Sequence, residues 1–343
     1  MRKLILHAGT HKTGTTAIQS FARENSKSFL SQGILYPDYA PFNVKFKDGH
    51  HDFAHSLAES TSTPMTFEQG MEIPRIWFDK ASEYSCATLI SAEAVWRHKV
   101  GSKDYKNSRR KYLTLVRQAL QDFDVEVIIV FRRPDDYIRS LYQETITKQT
   151  KRLAAFPVWR EATEPKRLGY FENFCLFREI FSSARCLLYE DLISGDGLLK
   201  NFFRELGVNT QGMVGPGFVR RSLKAHETVI KNFANPYLKT NAKGKEFVRW
   251  LQSENVSNTI KNLMGGDRFD LWETYEARAG FIEGRRDDIA RLGELCLSGR
   301  ERVFPELSKT EMLESVPNIP ESVQNMVFDH LGVEKVKRVY STG

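Results

Sequence analysis

Residues 3–24, KLILHAGTHKTGTTAIQSFARE, restrict the fold more than any other stretch of this chain. A short apolar run ends at a glycine and a loop rich in Gly and Thr follows. Ile18, Phe21, Phe29 and Leu30 then fall at helical spacings. The order is strand, glycine-rich turn, helix. The pattern recurs downstream: CATLISAE (86–93), VEVIIVFRR (125–133) and ARCLLYEDL (184–192) read as further strands. Helices are expected at 107–122, from Pro134 through DDYIRSLYQETITKQ, and at 198–207. Proline suits the first turn of a helix, and Gly207 supplies a stop. Short strands alternating with helices predict an α/β fold, a parallel sheet flanked by crossover helices. From residue 222 on, the pattern predicts a helical C-terminal third. Residues 36–75, rich in Pro, Asp, Gly and His, read as an irregular insertion with one helix around Phe53–Glu59. The expected organisation is a single domain over 1–310 and an extension over 311–343.

Sheets of this kind bind ligands beyond the carboxyl ends of their strands. Three features fall at that edge: the loop after the first strand, Glu93, and the Arg132-Arg133 pair. In the loop, Gly9 and Gly14 keep the glycine spacing of the nucleotide-triphosphate motif G-x-x-x-x-G-K-[ST]. Thr15 takes the place of the motif's lysine, and Lys12 stands two residues before Gly14. A glycine-rich turn opening a helix aims backbone N–H groups and partial positive charge at one point. Lys12 adds a full charge, and Thr13, Thr15 and Thr16 add hydroxyls, so the loop is built for an anion. The most apolar strand ends in arginines instead of the carboxylate that holds magnesium, and arginines recruit a second anion. Arg132 and Ser140, eight residues apart across Pro134 and two helical turns, are placed to clasp it. The competing reading pairs Arg132 with Asp135 or Asp136.

HKTGTT followed by a helix resembles the 5′-phosphosulfate loop of the sulfotransferase family, whose usual form is PK-[ST]-G-T-T. FRRPDDYIRSLY resembles that family's 3′-phosphate motif, an arginine followed eight residues later by a serine. LISAE, LLYEDL, LLKNFFRELGV and RRSLKAHETVIKNFAN are similar to stretches of its bacterial, carbohydrate-type members. The resemblance implies a P-loop-like fold and a sulfotransferase that uses 3′-phosphoadenosine 5′-phosphosulfate (PAPS), without a metal. The acceptor it implies is a small metabolite or glycan hydroxyl or amine. It also implies that Lys12 faces the leaving oxygen, that Thr13, Gly14, Thr15 and Thr16 cradle the 5′-phosphate, and that Arg132 and Ser140 hold the 3′-phosphate. Arg220, Arg221 or Lys224 would add charge there. Two positions depart from the pattern: His11 replaces a proline, and Arg220 stands where asparagine is common.

An acceptor must lose a proton, so a base is expected within hydrogen-bond reach. Glu93 is the first candidate and His51 of GHHDFAH the second. A solvated loop is the simplest fate for the histidines, and His51 with His55 lacks a third metal ligand at a recognisable spacing. Tyr36, Phe42, Trp77, Trp96, Trp159, Arg160 and Arg167 are candidates to line an acceptor site. Tyr189-Glu190-Asp191 reads as a structural strand end. An atypical P-loop kinase or NTPase is the alternative enzyme, and an inactive binding module the alternative outside catalysis.

The 343 residues are 41% hydrophobic and 27% charged, an ordinary globular composition. A formal net charge of +7 suits anionic ligands, and no nucleic-acid module accompanies it. Four widely spaced cysteines, Cys86, Cys175, Cys186 and Cys296, are expected as free thiols. No apolar stretch is long enough to span a membrane, and the opening run is too short for a signal peptide, so a cytoplasmic protein is expected.

Overall fold

Strand β1 (Arg2–His7) is the middle of a five-stranded sheet ordered β2-β3-β1-β4-β5. The others are β2 (Ile34–Leu35), β3 (Ala87–Ser91), β4 (Phe123–Phe131) and β5 (Ser183–Leu188). Every pairing among them is parallel. The computed structural model describes residues 1–10, 12–101, 104–162, 168–217, 221–266, 268–297, 302–309 and 313–333. His11, Arg167 and Arg220, read above, lie outside the described residues.

A parallel sheet is covered on both faces, so its central strands need continuous apolar runs. Leu4–Leu6 of β1, Leu89 and Ile90 of β3, and Val127–Phe131 of β4 are accordingly buried. On one face Ile5, Leu89, Ile128 and Val130 share a core with Ile18, Phe21 and Phe29, and with Phe202 and Phe203 of the helix Leu198–Arg204. The α/β architecture, a parallel sheet flanked by helices, is the one the sequence predicts.

Register positions the site. His7 at the end of β1 is the partner of Ser91 at the end of β3, and of Ile128 on β4. The segments that leave β1 and β3 therefore emerge side by side at the carboxyl edge. The chain leaves β1 toward β2 on one side and leaves β4 toward β5 on the other. Connections that diverge this way open a crevice between their strands.

The chain folds as two compact units. Residues 1–134, 165–219 and 285–305 form the first, which holds the sheet; 135–164, 220–284 and 306–343 form the second. The sequence predicts one domain over 1–310; by their contacts, 135–164 and 220–284 within that span group with the chain from 306 on. In that unit the helices Ala225–Ala234, Asn241–Leu251, Glu254–Leu263 and Glu321–Leu331 share a core that includes Ile230, Phe247, Ile260 and Val327. Tyr142, Phe156 and Trp272 anchor another. Arg278 ties that unit together, reaching Asp135 at 2.6 Å, Asp136 at 3.1 Å and Asp270 at 3.3 Å.

Three local expectations change. Part of the irregular stretch 36–75 is the start of a helix, Phe67–Glu83, opened by a capping box between Thr66 and Gln69 and carrying a buried Pro74. The histidine-rich segment forms a helix at His51–Ser56, two residues earlier than expected. Tyr189–Leu192 is a turn of helix instead of a strand end. The four cysteines are free. Among the described residues no helix is long and apolar enough to cross a membrane.

Candidate functional site at the carboxyl edge of the sheet

The loop after β1 is stitched to the neighbouring strand before it turns. Ala8 N–H donates to the Ile128 carbonyl at 2.9 Å, and Thr10 donates to the Val130 carbonyl through both its N–H and its hydroxyl. The Thr13 hydroxyl donates back to the Thr10 carbonyl at 2.7 Å, closing the turn. Lys12 and Gly14 both take the left-handed backbone, with φ of 70° and 75°. Glycine enters that region freely and lysine does not. Gly14 is the N-cap of helix α1 (Thr15–Glu24), and with no side chain it makes no cap hydrogen bond to the helix. The first N–H groups of a helix have no partner within it, so this end is a donor surface. Lys12 is half-buried beside it, Thr15 is buried and Thr16 is exposed.

Arg132, just past β4, braces the loop. Its Nη1 donates to the Lys12 carbonyl at 2.9 Å, and its guanidinium lies over the Tyr189 ring at 5.0 Å. The Tyr170 hydroxyl donates to the Arg132 carbonyl. Arg132 Nε is buried without a hydrogen-bond partner among the described residues. A donor left in that state costs about 1–3 kcal/mol, which an incoming anion would relieve. Asp135 and Asp136, the competing partners, are engaged by Arg278. Arg133 is buried, and its N–H donates to Glu190, so that glutamate serves the backbone at the strand ends.

Compared with protein-family models, curated proteins and solved structures, the chain has no match.

Glu93 follows β3 and is 7% exposed. It stands at the head of the short helix Ala94–Arg97, and its side chain makes no cap there. Two groups meet one of its oxygens, Oε2: the Gln19 amide nitrogen at 2.8 Å and His51 Nε2 at 3.3 Å. The two candidate bases are thus one pair, and His51 is not the solvated loop residue expected. The Gln19 amide also donates to the Ser91 hydroxyl at 3.1 Å, and that hydroxyl lies 2.9 Å from His7 Nδ1. A polar chain therefore runs His51–Glu93–Gln19–Ser91–His7, across the ends of β3 and β1. Burial holds the His7 imidazole down at about 4, against the pull of Glu93 and helped by His51, so the ring is neutral at physiological pH.

The neighbouring histidines are structural. His50 is wholly buried: Ser91 N–H donates to its Nδ1 at 3.1 Å, and its Nε2 donates to the Pro37 carbonyl at 2.9 Å. Burial lowers it to about 3. His55 turns to His98, 2.7 Å between ring nitrogens. Among the described residues no group of three or more His, Cys, Asp or Glu converges as a metal site.

Other expected residues lie elsewhere. Ser140 is buried on the helix Pro134–Lys148 and belongs to the second unit. In that unit Arg221 pairs with the buried Glu227 at 2.6 Å, and the backbone N–H of Lys224 donates to the same carboxylate. The proposed acceptor-lining aromatics are mostly core. Trp77 and Trp96 are wholly buried and Tyr36 nearly so: Trp77 packs on Tyr39, His50 and Phe53, and Trp96 on Phe131 and Phe177. Trp159 packs on Tyr142, and Arg160 pairs with Glu273 over the Trp272 ring. Gln19 is the residue that sequence reasoning passed over. Its only signal is a polar side chain on the helix face shared by Ile18 and Ala22.

Proposed function

We propose that the protein is a sulfotransferase of P-loop-like fold that moves the sulfuryl group of PAPS to a hydroxyl or amine. One observation carries the reading: a lysine braced in a strained turn at a helix N-terminus lies on the same sheet edge as a buried carboxylate–histidine pair. Register brings the two together, because His7 and Ser91 are partners. The first half suits a leaving anion and the second suits a group that must lose a proton.

The residues present fit such a donor. The helix end at Gly14 suits a phosphate, and Arg132 Nε, without a hydrogen-bond partner among the described residues, suits a further anion. PAPS would supply an activated sulfuryl group whose departure leaves negative charge on a bridging oxygen. Lys12 is the residue to neutralise that charge, and a charge-assisted hydrogen bond aimed at developing charge is among the largest catalytic terms. Thr13, Gly14, Thr15 and Thr16 would hold the 5′-phosphate. Arg132 would hold the 3′-phosphate. Glu93 and His51 would take the acceptor's proton, since a partly exposed imidazole against a buried carboxylate is a proton acceptor that is already oriented.

The test is a pair of measurements. Adenosine 3′,5′-bisphosphate should raise the melting temperature in proportion to its affinity and concentration, and magnesium ATP should not. Lys12→Ala should bind that nucleotide and lose roughly 10²–10³-fold in transfer. Stabilisation by magnesium ATP alone would favour the kinase reading, and near-parental transfer in Lys12→Ala would remove its role.

A further inference from the structure

We infer that Gln19 is a positioning residue. Seated against Gly49, it fixes the carboxylate of Glu93 where His51 meets it, and it ties that pair to the helix that starts at Gly14. The inference rests on the reading that Glu93 and His51 take the acceptor's proton.

Gln19 is 3% exposed, on a face of α1 shared with Ile18, Phe21 and Ala22. A buried amide there is costly unless its hydrogen bonds are made. An ionised carboxylate only accepts, so the NH₂ end of Gln19 must face Glu93, and it does at 2.8 Å. The same nitrogen lies 3.1 Å from the Ser91 hydroxyl, which binds the amide to the end of β3 as well.

The segment 49–51 is shaped around that amide. A Cβ on Gly49 would stand 2.4–2.7 Å from the Gln19 amide atoms, closer than real contacts allow, so only glycine leaves the room. His50 then pins the segment: its N–H donates to the Ser91 carbonyl at 2.7 Å while its ring accepts from Ser91 N–H. With His50 fixed, His51 arrives at Glu93. The three consecutive residues make room, anchor and pair. Gln19 and His51 meet the same oxygen, Oε2, so displacing the amide displaces the atom that His51 contacts. Misplacing a reacting group by about 1 Å can cost as much as ~10²-fold in rate.

Two variants perturb this device from opposite sides. Gln19→Met keeps length and burial and removes the donors; Gly49→Ala keeps Gln19 and displaces its amide. Each is measured for binding of adenosine 3′,5′-bisphosphate, for melting temperature, and for transfer from PAPS to para-nitrophenol with kcat and KM separated. The rate at which diethylpyrocarbonate modifies His51, read by peptide mass spectrometry, gives a measure independent of the reaction. Nucleotide affinity and the KM for PAPS should stay within about twofold, while kcat falls about tenfold or more in each variant. The double variant should be no worse than Gln19→Met, because Gly49 acts only through Gln19. His51 should be modified at least about threefold faster in both single variants, once its partner oxygen is displaced. A lower melting temperature with parental kcat and parental His51 reactivity would make Gln19 purely structural and overturn the proposal. If the parent protein neither binds the nucleotide nor turns over PAPS, the sulfotransferase reading falls. The His51 rate then decides by itself: faster in both variants sustains the positioning role, and unchanged rates overturn it.

Discussion

A lysine held in the left-handed region costs on the order of 1–3 kcal/mol. Lys12 carries that cost at φ 70°, with its carbonyl fixed by Arg132. Replacing it with glycine removes the strain, so Lys12→Gly should raise stability by about 0.5–1 kcal/mol in urea unfolding while transfer is lost as in Lys12→Ala. A loss of stability would mean that the side chain contributes more than the backbone costs. At this scale the sequence revealed residue types but not conformations. The offset lysine and its threonines were legible because the G-x-x-x-x-G spacing marks a turn. Gln19 was not, since nothing in a linear pattern tells a buried amide that holds a carboxylate from an exposed one; His51 was named as the second base, but its contact with Glu93 was not foreseen. The acceptor-lining aromatics erred the other way: Trp77 and Trp96 sit in polar stretches yet are core.

Among elements, the junction of loop and helix is the most constrained. A Cβ on Gly14 would meet Leu198 Cδ2 at 2.2 Å, and φ is 75° there. Gly14→Ala should therefore destabilise by about 1–3 kcal/mol. Adding Leu198→Ala should recover the steric part and leave the backbone part, a coupling that a double-mutant cycle of unfolding free energies measures. In the second unit, Arg278→Ala would remove the guanidinium that Asp135, Asp136 and Asp270 share, while Arg139 still holds Asp270 at 3.0 Å, and should cost about 1.5–3 kcal/mol by the same measurement. The strands were legible as elements because apolar runs bounded by turn signals leave little choice, and β1, β3, β4 and β5 all lie where their runs are. The helix Phe67–Glu83 was hidden by Pro74 in its middle and by its polar surroundings, although Thr66 and Gln69 carry the capping-box spacing that announces it.

The molecule as a whole should be sensitive to acid through its histidines. His7 and His50 are held at about 4 and about 3, below the usual 6.5, by burial. The unfolded chain therefore binds more protons than the folded one as pH falls below 6.5. The stability these two contribute is complete above 6.5 and is lost as pH descends toward their folded values. Each removes about 1.4 kcal/mol per pH unit inside that window. The urea midpoint should fall steeply between pH 6.5 and 4, and a level midpoint would refute the buried neutral state of both rings. The parallel α/β class was legible from the alternation of strands and helices, whereas the two-unit division was not. No linker marks it, because the units interleave.

That interleaving bears on how the chain is synthesised and folded. The backbone passes between the units at 134/135, 164/165, 219/220, 284/285 and 305/306. Strand β5 must therefore wait for a segment of the other unit to leave the ribosome before it can reach β4. Closing that long excursion is entropically costly and delays completion of the sheet. Nor can one cut liberate either half intact: a protease that nicks any single crossing leaves both bodies still joined by the remaining strands of chain.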